Sequence, residues 1–124
     1  MADLISSLSV SASGMEVQAQ RLRHVSENIA NADTPGYRRK EISFRDTAQG
    51  VVAGPVQLDQ AELRREYRPG HPLADADGYY QASNVDLILE IADAREAQRS
   101  YEANLKLFEQ SRQMTQSLFD LLRR

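Results

Sequence analysis

The residue types that do chemistry are few in this sequence, and their spacing does not bring them together. The only two imidazoles, His24 and His71, sit in unlike surroundings. His24 falls within a helical pattern, two residues past Leu22, where it reads as facing solvent or a neighbouring subunit. His71 lies inside Pro69-Gly70-His71-Pro72, a turn whose shape accounts for its residues. Asp75-Ala76-Asp77-Gly78 has the composition of a calcium loop, but the Gly comes too soon after the first acid and no Glu closes the segment. It reads as a solvated turn. Arg38-Arg39-Lys40 reads as a solvated strand edge whose charge discourages unwanted pairing. There is no cysteine, hence no disulfide, thiolate nucleophile or Cys-based zinc site. A phosphate-binding Gly-rich loop, a nucleophile elbow and a paired His–acid arrangement are also missing. The sequence therefore offers no catalytic residue, no metal ligand set and no cofactor site, and an enzyme is the least supported class.

The bulk numbers narrow the partners. A chain of 124 residues has room for one domain. Its formal charge of −3, from 15 basic and 18 acidic residues, provides no positive field for nucleic acid. No stretch has the roughly 18–20 apolar residues that span a bilayer. The start, Met1-Ala2-Asp3-Leu4-Ile5-Ser6, lacks the basic and then apolar regions of a Sec signal. That implies a cytoplasmic protein or export by another route. Aromatic residues make up 6% with no Trp, too few to fill a single compact core in the usual way.

Two helical patterns flank a turn-rich middle. In the first, from about Leu4 to Ala32, Leu8, Met15, Leu22 and Ile29 recur every seven residues. Ile5, Ala12, Ala19 and Val25 fill the intervening positions, which makes a coiled-coil-like seam. Such a helix is roughly 44 Å long. It is expected to stop at Asp33-Thr34-Pro35-Gly36, where Pro cannot continue the helix and Gly supplies the positive φ of a type II turn.

The second pattern runs from about Val85 to Leu122, with Asn84 as the expected N-cap and Arg123 and Arg124 at the negative end of the dipole. One stripe holds Ile91, Ala94, Tyr101, Leu105, Phe108, Thr115, Phe119 and Leu122; a second holds Leu107, Met114, Leu118 and Leu121. Between the helices, Ile42 and Phe44 alternate within Arg39–Arg45 as in a strand, and Val56–Leu58 and Ala61–Tyr67 are further strand candidates. The expected fold class is thus mainly α: two long paired terminal helices, residues 1–33 and 84–124, form one discontinuous helical domain. Residues 34–83 form a small β-hairpin region between them.

Two helices packed as a pair cover one face of each. The first also carries Val10 and Val17 on its opposite side, and the second carries its extra stripe. The middle has few large apolar residues to cover both. Neighbouring subunits are the expected source of the missing burial, with the chain ordering as it assembles.

Three segments together resemble a known family. Asn28-Ile29-Ala30-Asn31-Ala32-Asp33-Thr34-Pro35-Gly36-Tyr37 resembles the N-terminal signature of the flagellar rod and hook axial proteins. Pro69-Gly70-His71-Pro72-Leu73-Ala74-Asp75-Ala76-Asp77-Gly78-Tyr79 resembles one proximal-rod branch of that family. Asn84-Val85-Asp86 and then Arg99-Ser100-Tyr101-Glu102-Ala103-Asn104 complete the match. The short Asp33–Gly36 link is closer to a sister branch, and the Pro69–Tyr79 segment decides for the first. The resemblance implies a structural subunit of the basal-body rod, in the periplasmic space, with copies of itself and other rod proteins as partners. It also implies export by the flagellar type III apparatus without a cleaved signal peptide, paired terminal helices in an inner layer and the middle facing outward. A helical adaptor or secretion chaperone is the alternative outside the family; it would share the helices but has no need of the Pro69–Tyr79 segment.

Overall fold

The computed structural model describes residues 2–123. Arg124, expected beside Arg123 at the end of the last helix, lies outside them. Two helices, α1 (Ala2–Ala30) and α2 (Leu87–Leu122), run antiparallel. Between them lie β1 (Lys40–Glu41), β2 (Phe44–Thr47), β3 (Gly50–Ala53), β4 (Gln57–Leu58), β5 (Arg65–Tyr67) and β6 (Tyr79–Gln81). These strands form three separate antiparallel pairs, β1 with β4, β2 with β3 and β5 with β6. The mainly α class, with long terminal helices and small strand pairs between them, is as the sequence predicts.

α1 ends two residues earlier than expected. The Asn31 side-chain amide donates to the Glu27 carbonyl at 2.8 Å, while Ala32 N–H turns back to Ile29 O and Thr34 N–H to Asn31 O. This tightening into three-residue turns closes the helix before Pro35 is reached. α2 starts two residues later than expected because its N-cap is Asp86, not Asn84. The Asp86 carboxylate accepts from Ile88 N–H at 3.0 Å and Leu89 N–H at 3.5 Å. Asn84 is committed elsewhere.

The single strand expected over Arg39–Arg45 is two. β1 pairs with β4, then the chain leaves that partner at Ile42-Ser43 and β2 takes up β3. Ser43 O accepts Gly54 N–H at 2.7 Å at the changeover. The β2–β3 hairpin lies on the outer face of α1, where Val51 N–H donates to Ser13 Oγ at 3.1 Å. Val17 is buried there, so the middle does cover part of the face opposite the expected seam, while Val10 stays exposed.

The helix seam differs most from expectation. Ser7 Oγ meets Ser111 Oγ at 3.0 Å, and Asn28 Nδ2 meets Glu90 Oε2 at 3.3 Å. Between these, Gly14 lies so close to Asn104 that a Cβ on it would fall 2.7 Å from the Asn104 amide oxygen. Ser7, Gly14 and Asn28 thus face Ser111, Asn104 and Glu90, and Arg21 of the same heptad row reaches Asp93 and Glu96. Leu8, Met15 and Leu22 sit one position round from this row, half-buried, and Ile29 is exposed. On α2, Tyr101, Phe108 and Leu118 are half-buried; Ile91, Leu105, Phe119 and Leu122 are exposed, as are Leu107, Met114 and Leu121. The seven-residue spacing is correct, but the helices meet on its polar neighbour, where Gly14 lets them approach closely and hydrogen bonds join Ser7 to Ser111 and Asn28 to Glu90.

Candidate functional site

The largest fully buried side chains are Glu90, Val85, Asn28 and Ser83, so three of the four are polar. Asn28, Glu90 and the chain leaving α1 form a clasp where helices and strands meet. Asn28 Oδ1 accepts from Tyr37 Oη at 2.9 Å and from Lys40 N–H at 2.8 Å, while its Nδ2 donates to Lys40 O at 2.9 Å. This two-way exchange with Lys40 mimics a strand partner, and it holds β1 against the end of α1. The Glu90 carboxylate, with no exposed surface, receives Arg39 Nε at 2.6 Å on one oxygen and Asn28 Nδ2 on the other. A buried carboxylate is costly unless paired and hydrogen-bonded, and Glu90 is both.

Arg39 extends the clasp. Its guanidinium also reaches Glu41 at 3.1 Å, Asp93 at 3.4 Å and Asp59 at 3.7 Å. Burial works against its charge, but Glu90, Glu41 and Asp93 together outweigh burial and raise its pKa. Asn84 Oδ1 accepts Arg39 N–H at 2.7 Å, and Asn84 Nδ2 donates to Asp59 O and Ala61 O. Lys40 Nζ pairs with Glu27 at 2.8 Å; this hydrogen bond raises the lysine pKa and lowers that of the carboxylate. The reading of Arg38-Arg39-Lys40 as a solvated edge is therefore overturned: Arg38 donates to Asp59 O and Ala61 O, and the other two close ion pairs onto the helices. His24 is likewise buried rather than solvent-facing, because the chain from Arg39 to Phe44 lies over it, and among the described residues its Nδ1 has no hydrogen-bond partner, the Glu27 carboxylate lying 3.7 Å away.

The turn that delivers these residues follows its sequence. Tyr37 N–H donates to Thr34 O at 3.2 Å across Pro35-Gly36, and Gly36 has φ +76, the type II geometry. Thr34 Oγ1 donates to Asn31 Oδ1, and Gly36 N–H reaches Gln81 O and Ala82 O, which ties the turn to β6. Burial pushes the Tyr37 phenol up in pKa.

The Pro69–Tyr79 segment is the loop that closes β5 onto β6. Asp75 Oδ1 accepts Asp77 N–H at 2.9 Å and Tyr79 N–H at 3.0 Å, and its Oδ2 lies 3.8 Å from the Arg65 guanidinium. Gly78 has φ +85, and a Cβ there would lie 2.7 Å from Tyr67 Cε2. The His71 ring stacks on Tyr80 at 4.0 Å, and its Nδ1 accepts Leu73 N–H. Pro69, Gly70, Pro72, Leu73 and Tyr79 are exposed. Among the described residues, no group of three or more His, Cys, Asp or Glu side chains is placed to hold a metal ion. The clasp presents no open nucleophile or acid–base pair; its groups are consumed in joining chain segments.

Sequence reasoning found Asn28, Asn31 and Thr34–Tyr37 but missed Glu90 and Arg39. The available signal was the lone acid in Leu87-Ile88-Leu89-Glu90-Ile91, since a carboxylate amid four large apolar residues calls for a cationic partner.

Comparison with known proteins follows the same segments. Residues 8–38 match the family model described as flagella basal body rod protein. Residues 76–121 match the model described as flagellar basal body rod FlgEFG protein C-terminal. The flagellar basal-body rod protein FlgC of Agrobacterium fabrum is 46% identical over 127 aligned positions, which cover 92% of this chain and 91% of that protein. The chain belongs to the FlgC family. FlgC of Salmonella typhimurium is 35% identical, over 84% of this chain and 87% of its own length. FlgC of Borreliella burgdorferi is 30% identical, over 96% and 97%. The branch resembled by Pro69–Tyr79 is the FlgC branch, and the first family model spans the Asn28–Tyr37 half of the clasp while the second takes in Asn84 and Glu90.

Proposed function

We propose that this chain is a structural subunit of the bacterial flagellar basal-body rod, assembling with copies of itself and other rod proteins to transmit torque. The observation that carries the reading is its likeness, over nearly its whole length, to proteins named for the rod. Its surface supports the same reading. Apart from alanines, the buried apolar residues are Val17, Val25, Tyr80 and Val85, whereas Leu105 and Phe119 are exposed on one side of α2 and Leu107, Met114 and Leu121 on the other. A monomer that buries so little and exposes so much is built for burial by neighbours.

In this reading Leu8, Met15, Leu22 and Ile29, with Ile91, Tyr101, Leu105, Phe108, Phe119 and Leu122, serve contacts between subunits. Leu107, Met114, Leu118 and Leu121 form a second contact row. The terminal helices make the inner layer of the rod, residues 34–83 face outward in the periplasm, and the chain reaches the rod by type III export without a cleaved signal peptide. It carries no catalytic activity. No helix among the described residues is long and apolar enough to cross a membrane. The test is deletion of the gene from a motile host and complementation with an epitope-tagged copy. Basal bodies should stop growing at the rod without it, and the tagged chain should co-purify with rods when swimming returns. Normal swimming and complete basal bodies after deletion would refute the assignment.

A further inference from the structure

The strand segment that leaves the clasp has one edge in use and the other half empty. Along residues 39–47 the odd positions bond to the returning chain of β3 and β4: Asp59 N–H donates to Arg39 O, and Gly54 N–H to Ser43 O. In an antiparallel ladder the residues between them turn their N–H and C=O the other way. On β3 the outward N–H of Val51 is taken by Ser13 Oγ. At Lys40 the outward N–H and C=O are both taken by the Asn28 amide. Farther along that same edge, the outward groups of Phe44 and Asp46 meet no hydrogen-bond partner among the described residues.

This empty edge overlooks a groove. The floor is α1, at Val10, Val17 and His24; β2 stands on one side and α2, at Asn104 and Asp93, on the other. Two hollows, of about 410 and 260 Å³, lie along it, and Phe44 lines both. Val10 is 47% exposed and Phe44 40%, so apolar surface lies open there. Gln18 lines the first hollow and His24 the second. Gln18 Oε1 and His24 Nδ1 are buried without a hydrogen-bond partner, and among the described residues no other buried side-chain oxygen or nitrogen is so placed.

We propose that a single extended segment of a different protein adds to β2 along this groove as a further strand. The inference rests on the rod reading and names the form of one contact within it. N–H and C=O groups alternating along an edge are met in register by another extended backbone, whereas a helix has spent its own backbone groups internally. Alternate side chains of such a strand turn down toward Val10, Val17 and Phe44, where apolar ones gain burial. One hollow touches both Phe44 and Asn104, so the groove is one strand wide. Every described strand of this chain comes already paired, which disfavours a second copy as the occupant. An edge left open in this way is a hazard for a chain on its own and a template for a partner.

Hydrogen exchange at single residues tests the contact. In the isolated chain the amides of Arg45 and Thr47 should be protected, and those of Phe44 and Asp46 should exchange freely. In basal bodies from swimming cells, the Phe44 and Asp46 amides should slow by at least about tenfold. Unchanged exchange at both, in basal bodies that contain the chain, overturns the proposal. If the chain is not in basal bodies, the rod reading itself fails and this contact with it. A photoreactive p-benzoylphenylalanine in place of Val10 identifies the occupant: on illumination it should link to one segment of a different rod protein. A link to a second copy, or none, overturns the proposal. Asp46→Pro is an independent arm, because it removes an outward N–H and no bond of the hairpin. It should leave the melt of the isolated chain unchanged and abolish swimming, whereas Arg45→Pro should loosen the hairpin itself. Swimming of the Asp46→Pro strain overturns the proposal. So does a loosened hairpin in isolated Asp46→Pro, since that N–H would then not belong to an empty edge.

Discussion

Glu90 has no exposed surface, whereas the Arg39 side chain keeps 21% of its own and has three further acidic neighbours. The two halves of this ion pair are therefore unequal. Arg39→Ala strands a fully buried carboxylate with only the Asn28 amide for company, and should cost about 3–5 kcal/mol. Glu90→Gln keeps the shape and one acceptor, and Arg39 still has Glu41, Asp59 and Asp93; the loss should be roughly 1–3 kcal/mol. Urea melts followed by circular dichroism test the order, and equal losses would show that Glu90 is not the costly partner. Gly36 makes a different demand. Its φ of +76 excludes β-branched residues, yet nothing lies within 4 Å of where a Cβ would be. Strain alone thus sets the cost: Gly36→Asn should be tolerated better than Gly36→Val, read as swimming in complemented cells. Equal motility of the two would remove the type II turn from the argument. Pro35 and Gly36 were legible because their constraint is local, held in their own backbone. Glu90 and Arg39 were not, because each looks ordinary until a partner 51 residues away is known.

At the scale of elements, α1 and α2 approach closely at Gly14, opposite Asn104. Gly14→Ala gains helix propensity worth about 1 kcal/mol but pushes a methyl into the Asn104 amide, and overpacking costs about 1–3 kcal/mol. The single variant should be neutral to destabilised, and Asn104→Ala in the same chain should recover at least wild-type stability in thermal melts. A stable single variant with no coupling to Asn104 would show that the helices do not meet there. Both long helices and their seven-residue period are plain in the sequence, since periodicity is a property of one segment. Which row of that period faces the partner is not plain. A row of Leu, Met and Ile is the natural choice for pairing by burial, but this pair is aligned by Ser7, Gly14 and Asn28 against Ser111, Asn104 and Glu90. Polar seam positions fix register at a cost in stability. Two of the short strands, β3 and β6, are the other casualty: they carry no period long enough to register, and they are held by β2 and α1 on one side and by β5 and the Pro35 turn on the other.

For the whole molecule, the polar seam and the clasp set register and direction, and they leave large apolar side chains unspent on the outside. Register is thus decided within the chain, so the isolated chain should already fold, contrary to the expectation that it orders only as it assembles, and further cohesion is left to its neighbours. The two roles can be separated by paired substitutions on the two kinds of surface. Val17 is buried beneath β3, so Val17→Asp places an unpaired carboxylate in the chain's own small core and should unfold it. Leu107 is 54% exposed on α2, away from the clasp and from both ends of the helix. Leu107→Asp should leave the circular dichroism spectrum and melt of the isolated chain within about 0.5 kcal/mol of wild type. Yet in a rod that buries this face, the same carboxylate has no water and no cation, and assembly and swimming should be lost while export continues. Normal swimming of Leu107→Asp would remove the second apolar row from the interface. Unfolding of the isolated Leu107→Asp chain would instead mean that the row belongs to the monomer's own core, so that the helices pair differently in solution.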